Sequence, residues 1–190
     1  MKKPELLIAP GNTVLLALAK GVCPICTLVR AFQNELIERL QANWASTVCN
    51  YHAWAIAAGS PAISVTEVFL AMLRGMGRNQ KESTDCDLCS SIREHEAIRL
   101  REFANEMKRA KFAEWTAQYG TLCQLHGAIL QSMLPEPSAQ IIARMIKKNQ
   151  EELEELLELF ANRTRSGGHA GGGILGRTAE FLVSQRGLRR

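Results

Sequence analysis

No apolar run in the 190-residue chain approaches the ~20 residues a helix needs to cross a bilayer. Pro4, Glu5, Pro10, Gly11 and Asn12 interrupt the apolar stretch that should follow Met1-Lys2-Lys3 in a secretory leader. The sequence therefore predicts a cytoplasmic protein with no membrane span, in a compartment where thiols stay reduced. Aromatic residues make up only 6% of the chain and β-branched runs are scarce, whereas Ala, Leu, Glu, Arg and Gln dominate. Sheets are built from the residues that are missing and helices from those that are present, so the expected class is all-α.

Several kinds of chemistry are also missing. The segment from Gly171 to Thr178 resembles a phosphate loop, but Arg177 stands where Lys belongs and no strand precedes it. It reads as a connection before a last helix. Glu151, Glu152, Glu154, Glu155 and Glu158 form the polar side of an amphipathic helix rather than a catalytic carboxylate pair. Glu94-His95-Glu96 has the wrong spacing for a di-iron site and reads as a solvated face. His169 reads as an exposed loop side chain, and Trp54 as packing around a neighbouring site. Nothing resembles a nucleophile with its base, and the protein is expected not to be an enzyme.

Charge is unevenly placed. Net charge is +4, but residues 161–190 hold six arginines (163, 165, 177, 186, 189 and 190) against one acid, Glu180. The body is close to neutral and the tail basic. A basic tail suits nucleic acid or an acidic partner, though a solvated terminus is the more ordinary reading. The expected partner is another protein.

What the chain does have is an ordered set of cysteines. All six, with two of the four histidines, fall into four tetrads. These are Cys23-Pro24-Ile25-Cys26, Cys49-Asn50-Tyr51-His52, Cys86-Asp87-Leu88-Cys89 and Cys123-Gln124-Leu125-His126. The order CxxC, CxxH, CxxC, CxxH supplies two sets of three thiolates and one imidazole, each a complete tetrahedral zinc set. Buried apolar cysteines would not repeat at fixed spacing. The candidate metal ligands are therefore Cys23, Cys26, Cys49, His52, Cys86, Cys89, Cys123 and His126. Two zinc ions acting as structural staples in a binding or scaffold module is the leading expectation. The alternatives are iron–sulfur clusters for electron transfer or redox sensing, and thiol–disulfide exchange at Cys23 and Cys26.

Apolar spacing places helices after each tetrad. Leu28, Phe32, Leu36 and Leu40 recur every four residues through about Trp44, and a short apolar helix runs from Cys49 to Ala58. Ser64-Val65-Thr66-Glu67 reads as a capping box for a helix to about Arg74, with Val68, Phe69, Met72 and Leu73 inward. A helix with Leu100, Phe103 and Met107 inward follows the second CxxC and either continues to Ala117 or breaks near Lys108–Lys111. Next come a helix with Leu125, Ile129 and Met133 inward, and a long helix from Ser138 to residue 164 with Ile142, Met145, Leu153 and Leu156 inward. A short helix Asn12–Lys20 and a last one Thr178–Arg186, with Phe181 and Leu182 inward, complete the reading. This is a helical bundle built from an internal repeat, residues 21–80 and 84–134, followed by the long helix. Residues 1–164 form one metal-binding domain, and residues 165–190 a glycine-rich loop with a basic helix.

Two pairings are open. If the first long helix is straight, at ~1.5 Å per residue it carries the chain far from Cys26 before Cys49. Cys49 and His52 then meet Cys86 and Cys89, while Cys23 and Cys26 meet Cys123 and His126. This interleaved arrangement is preferred over sequential pairing within each repeat, which needs the intervening helix to fold back.

The tetrads in their contexts, including Val48-Cys49-Asn50-Tyr51-His52-Ala53-Trp54 and Gly120-Thr121-Leu122-Cys123-Gln124-Leu125-His126, resemble a family of helical bacterial proteins of unknown function. Its members carry two CPxC-type and two GFCxxH-type motifs. The resemblance covers roughly residues 20–185. It implies a helical fold with paired metal-type motifs and no stated activity. Two features depart from the family: Asp87 replaces the second proline, and the first copy has 22 residues between its tetrads where the second has 33.

Overall fold

The computed structural model describes residues 21–39, 48–59, 62–75, 86–166 and 173–183. Among them are eight helices and no strand: α1 (Pro24–Glu38), α2 (Asn50–Gly59), α3 (Ala62–Gly75), α4 (Asp87–Glu106), α5 (Ala110–Tyr119), α6 (Gln124–Met133), α7 (Ser138–Arg165) and α8 (Gly173–Val183). The all-α class read from composition is what is found. The expected helix Asn12–Lys20 lies outside the described residues, as do the end of the first long helix and His169.

The described residues form two compact units, one of residues 21–28, 99–166 and 173–183 and the other of residues 29–39, 48–59, 62–75 and 86–98. The division falls inside α1 and α4.

In the larger unit, α7 is the central element: α5, α6 and α8 all pack on it, and α8 also packs on α6. Its buried positions Ile142, Met145 and Leu153, with buried Leu122 and Leu130, belong to the core of this unit. Two glycines permit close packing here. A Cβ on Gly127 would press into Ile146 of α7, with Cγ1 at 2.9 Å, and one on Gly120 would meet the Met145 Sδ at 2.7 Å and the Thr116 carbonyl. The end of α4 joins the core through Phe103, edge-on to Phe112 at 5.4 Å. Helix α4 stops at Glu106, and a short turn over Met107–Arg109 separates it from α5. Of the two outcomes left open, the break is the one that occurs.

In the smaller unit, α2 packs on α3. Among its described residues Val29, Ile37, Ile56, Val68, Leu88 and Ile92 are buried and apolar. Phe32 stacks on His95 with 3.9 Å between ring centroids, and Gln33 donates to the Tyr51 hydroxyl at 3.4 Å.

Several expected details are corrected. Helix α3 begins at Ala62, so Ser64 lies inside the helix and not at its cap. Helix α8 begins at Gly173, five residues ahead of Thr178, so glycines read as loop are helical. Trp54, expected to pack around a site, is 71% exposed, and Leu73 and Leu182, expected inward, are 63% and 54% exposed. Met133 and Leu156 are also exposed. The face read as solvated at 94–96 has one buried member, Glu96. A spacing pattern identifies a stripe on a helix but not how wide the covering neighbour is.

Candidate metal centres

Each tetrad opens a helix in the same way. The carbonyl of its first residue accepts the amide four residues on: Thr27 to Cys23 at 3.1 Å, Ala53 to Cys49 at 2.9 Å, Ser90 to Cys86 at 3.0 Å and Gly127 to Cys123 at 2.9 Å. The first residue of every tetrad is thus the N-cap and the fourth is the third helical position. This is the pair of positions whose side chains converge in a capping box. Pro24 suits its place, since the first helical residue has no intrahelical use for an amide hydrogen. The chain enters this turn through Gly21, whose φ of 70° lies in the left-handed region.

Four helix N-termini therefore carry eight side chains, and the fold brings them together in two groups. Cys23, Cys26, Cys123 and His126 form one group, in the larger unit; Cys49, His52, Cys86 and Cys89 form the other, in the smaller. The interleaved pairing is the one observed. Sequential pairing is not: Cys26 lies 3.7 Å from Cys123, and Cys49 lies 3.6 Å from Cys89.

In the first group the His126 Nδ1 is 3.4 Å from Cys23, 3.3 Å from Cys26 and 3.2 Å from Cys123. In the second, the His52 Nδ1 is 3.3 Å from Cys49, 3.3 Å from Cys86 and 3.4 Å from Cys89. An ion with bonds of ~2.3 Å to sulfur and ~2.0 Å to nitrogen spreads its ligands to about 3.8 Å between sulfurs and about 3.5 Å between sulfur and nitrogen. Both groups have the size of that tetrahedron and can hold a metal ion. No cysteine among the six is in a disulfide.

The thiols within each group are unequal. Burial pushes Cys23 well above its ordinary range, and the neighbouring Cys123 and Cys26 add to the push. Cys123 moves down to about 4, because Cys23 and Cys26 donate to its thiolate and the His126 and Leu125 amides add to this, against the upward effect of burial. In the second group burial raises Cys49, but the His52 amide, the Cys89 and Cys86 thiols and the Tyr51 amide together outweigh it and leave it lowered. Cys89 is pushed up to about 12 by burial, then by Cys49 and Cys86. In both groups the favoured thiolate is the cysteine of the CxxH. Its sulfur caps a helix whose first amides and dipole favour negative charge.

All eight residues singled out from sequence lie in these groups. One neighbour carried no sequence signal of its role: Tyr51 places its ring edge-on to His52 at 5.0 Å. Its place inside the second tetrad is the only hint. Comparison of the chain with family models, with curated proteins and with solved structures finds no match.

Proposed function

We propose that this chain is a helical binding module stapled by two single-ion tetrahedral zinc centres. Cys23, Cys26, Cys123 and His126 hold one ion, and Cys49, His52, Cys86 and Cys89 hold the other. The observation that carries this reading is the spacing of the ligand atoms: each Nδ1 lies 3.2–3.4 Å from three sulfurs, one sulfur pair in each group is 3.6–3.7 Å apart, and all ligand atoms of a group lie within 4.8 Å of one another. Four protein ligands leave no open position for water, so such an ion contributes folding free energy and does no chemistry. Three thiolates, one neutral imidazole and a dication sum to one negative charge, which the two helix N-termini at each centre offset.

The same spacing weighs against a cubane cluster, in which four irons and four sulfides stand between the protein ligands and hold them much further apart. A thiol–disulfide protein would leave the two converging histidines without a role. The module's partner is another protein. Reduced thiols suit a reducing compartment such as the cytoplasm, and no helix among the described residues is long and apolar enough to cross a membrane.

Elemental analysis with an absorption spectrum, on protein purified without oxygen, tests the reading. The expected result is two zinc ions per chain and no visible absorption. Iron with labile sulfide and visible absorption would replace the staple with a redox centre. Absence of both metals would return the cysteines to thiol chemistry.

A further inference from the structure

A cavity of about 350 Å³ adjoins the first centre within the larger unit. At ~30 Å³ per water it has room for about twelve waters, far more than a coordinated ion uses and enough for a small organic ligand. Cys23, Cys26 and Cys123 line one side. The apolar wall is Leu122, Leu153 and Phe181, all buried.

Three polar side chains of the lining, Asn149 on α7 and Arg177 and Glu180 on α8, have no partner among the described residues. The Asn149 Nδ2 is buried and donates to no described residue. Arg177 and Glu180 stand one helical turn apart on α8, yet they form no ion pair with each other or with another described residue. Glu152, also in the lining, is engaged by Lys148 at 3.8 Å. An apolar wall is thus combined with two unused donors, one of them cationic, and one unused carboxylate. A buried donor without an acceptor is costly, and a ligand oxygen removes that cost.

We propose that this cavity binds a small zwitterion with an apolar side chain, the chemical class of the apolar α-amino acids. The ligand carboxylate pairs with Arg177 and accepts from Asn149, its ammonium pairs with Glu180, and its side chain lies against Leu122, Leu153 and Phe181. A simple carboxylic acid would leave Glu180 facing a second anion. A simple amine would leave Arg177 and Asn149 without an acceptor. The assignment uses no residue of the ligand tetrahedron, so it stands whichever metal fills the centre.

Isothermal titration of the full chain as purified tests this, with L-leucine and L-phenylalanine as probes. Two half-molecules of leucine, 4-methylpentanoate and 3-methylbutylamine, serve as controls. Leucine should bind, and each half-molecule should bind at least about tenfold more weakly. Arg177→Ala and Glu180→Ala should each weaken leucine binding by about tenfold or more, with metal content unchanged on the same samples. Both residues are exposed at the rim, so the variants are expected to fold. No binding by either amino acid, 4-methylpentanoate binding as tightly as leucine, or variants that bind leucine like the parent would each overturn the proposal.

Discussion

The two centres share a ligand set, a helix-capping geometry and ligand separations, but they lie at different depths. All four residues of the first are buried, whereas Cys49 and Cys89 of the second are only half-buried. They also differ in reach. Cys26 and Cys123 meet across 97 positions, Cys49 and Cys89 across 40. The tetrads set which kind of ion can be held. The surrounding helices set how closely solvent and competing ligands can approach it, and so how readily it exchanges.

The largest effect expected from that contrast is on stability. A structural zinc binds with an apparent ~10–16 kcal/mol, comparable to the whole ~5–15 kcal/mol stability of a domain. Cys123→Ser should therefore remove one ion and unfold much of the larger unit, seen as lost helical circular dichroism. Cys89→Ser should also remove one ion but lower the melting temperature less, because its centre closes a shorter loop and is already half-open to water. Equal losses would break the comparison between the centres.

The pairing predicts a metal count. Cys49→Ser combined with Cys86→Ser should leave one ion per chain, since both empty the same centre. Cys49→Ser combined with Cys123→Ser should leave none. Loss of both ions from the Cys49→Ser, Cys86→Ser variant in elemental analysis would restore sequential pairing, which puts those two cysteines in different centres.

Exchange should follow depth. Under a chelator, the second centre should empty first, and a thiol-alkylating reagent should label Cys49 and Cys89 before Cys23, Cys26 and Cys123, as read by peptide mass. Labelling in the opposite order would mean that burial does not control access.

Proton release separates the centres further. Binding requires thiolates, so metal affinity should fall as pH falls. Cys89, with its pKa near 12, is protonated at neutral pH and must lose its proton when the second centre fills. Cys123, near 4, is already ionised there and gives none, so filling the first centre should expel at most two thiol protons. Titration of the second-centre and first-centre knockouts with zinc in weak buffer measures both. Three protons expelled by the first centre would mean that the emptied unit does not keep the arrangement that lowers Cys123.

The smallest effects concern packing. Gly127→Ala forces a Cβ into Ile146 and should cost about 1–3 kcal/mol of unfolding free energy, since α6 must move off α7. Trp54→Ala, at an exposed position, should stay within about 0.5 kcal/mol in the same denaturant titration.

Much of the candidate site was legible in the chain because its signal is discrete. Cysteine and histidine three residues apart, repeated four times, are hard to read otherwise, and a rigid helix between two tetrads disfavours sequential pairing. The helices were legible where apolar residues recur over several turns, as in α7. The faces of short helices were not. In α2, apolar residues lie all round, so nothing in the spacing separates buried Ile56 from exposed Trp54. The start of α8 was missed because glycines weigh towards a loop, whereas its packing on α6 and α7 supplies what its propensity lacks. The cavity was invisible for a different reason. Asn149, Arg177 and Glu180 lie on two helices and form no motif along the chain.

The interleaved order also has a consequence during synthesis. The ligands of the second centre are complete once Cys89 has been made, but those of the first wait for His126. At ~5–20 residues per second the earliest pair of thiols stays without partners for a few seconds after the inner set is whole. A nascent chain can therefore load the later-numbered CxxC before the first one. Any cellular factor that shields reactive thiols on this protein has its longest task at Cys23 and Cys26, the residues that finish among the most deeply buried.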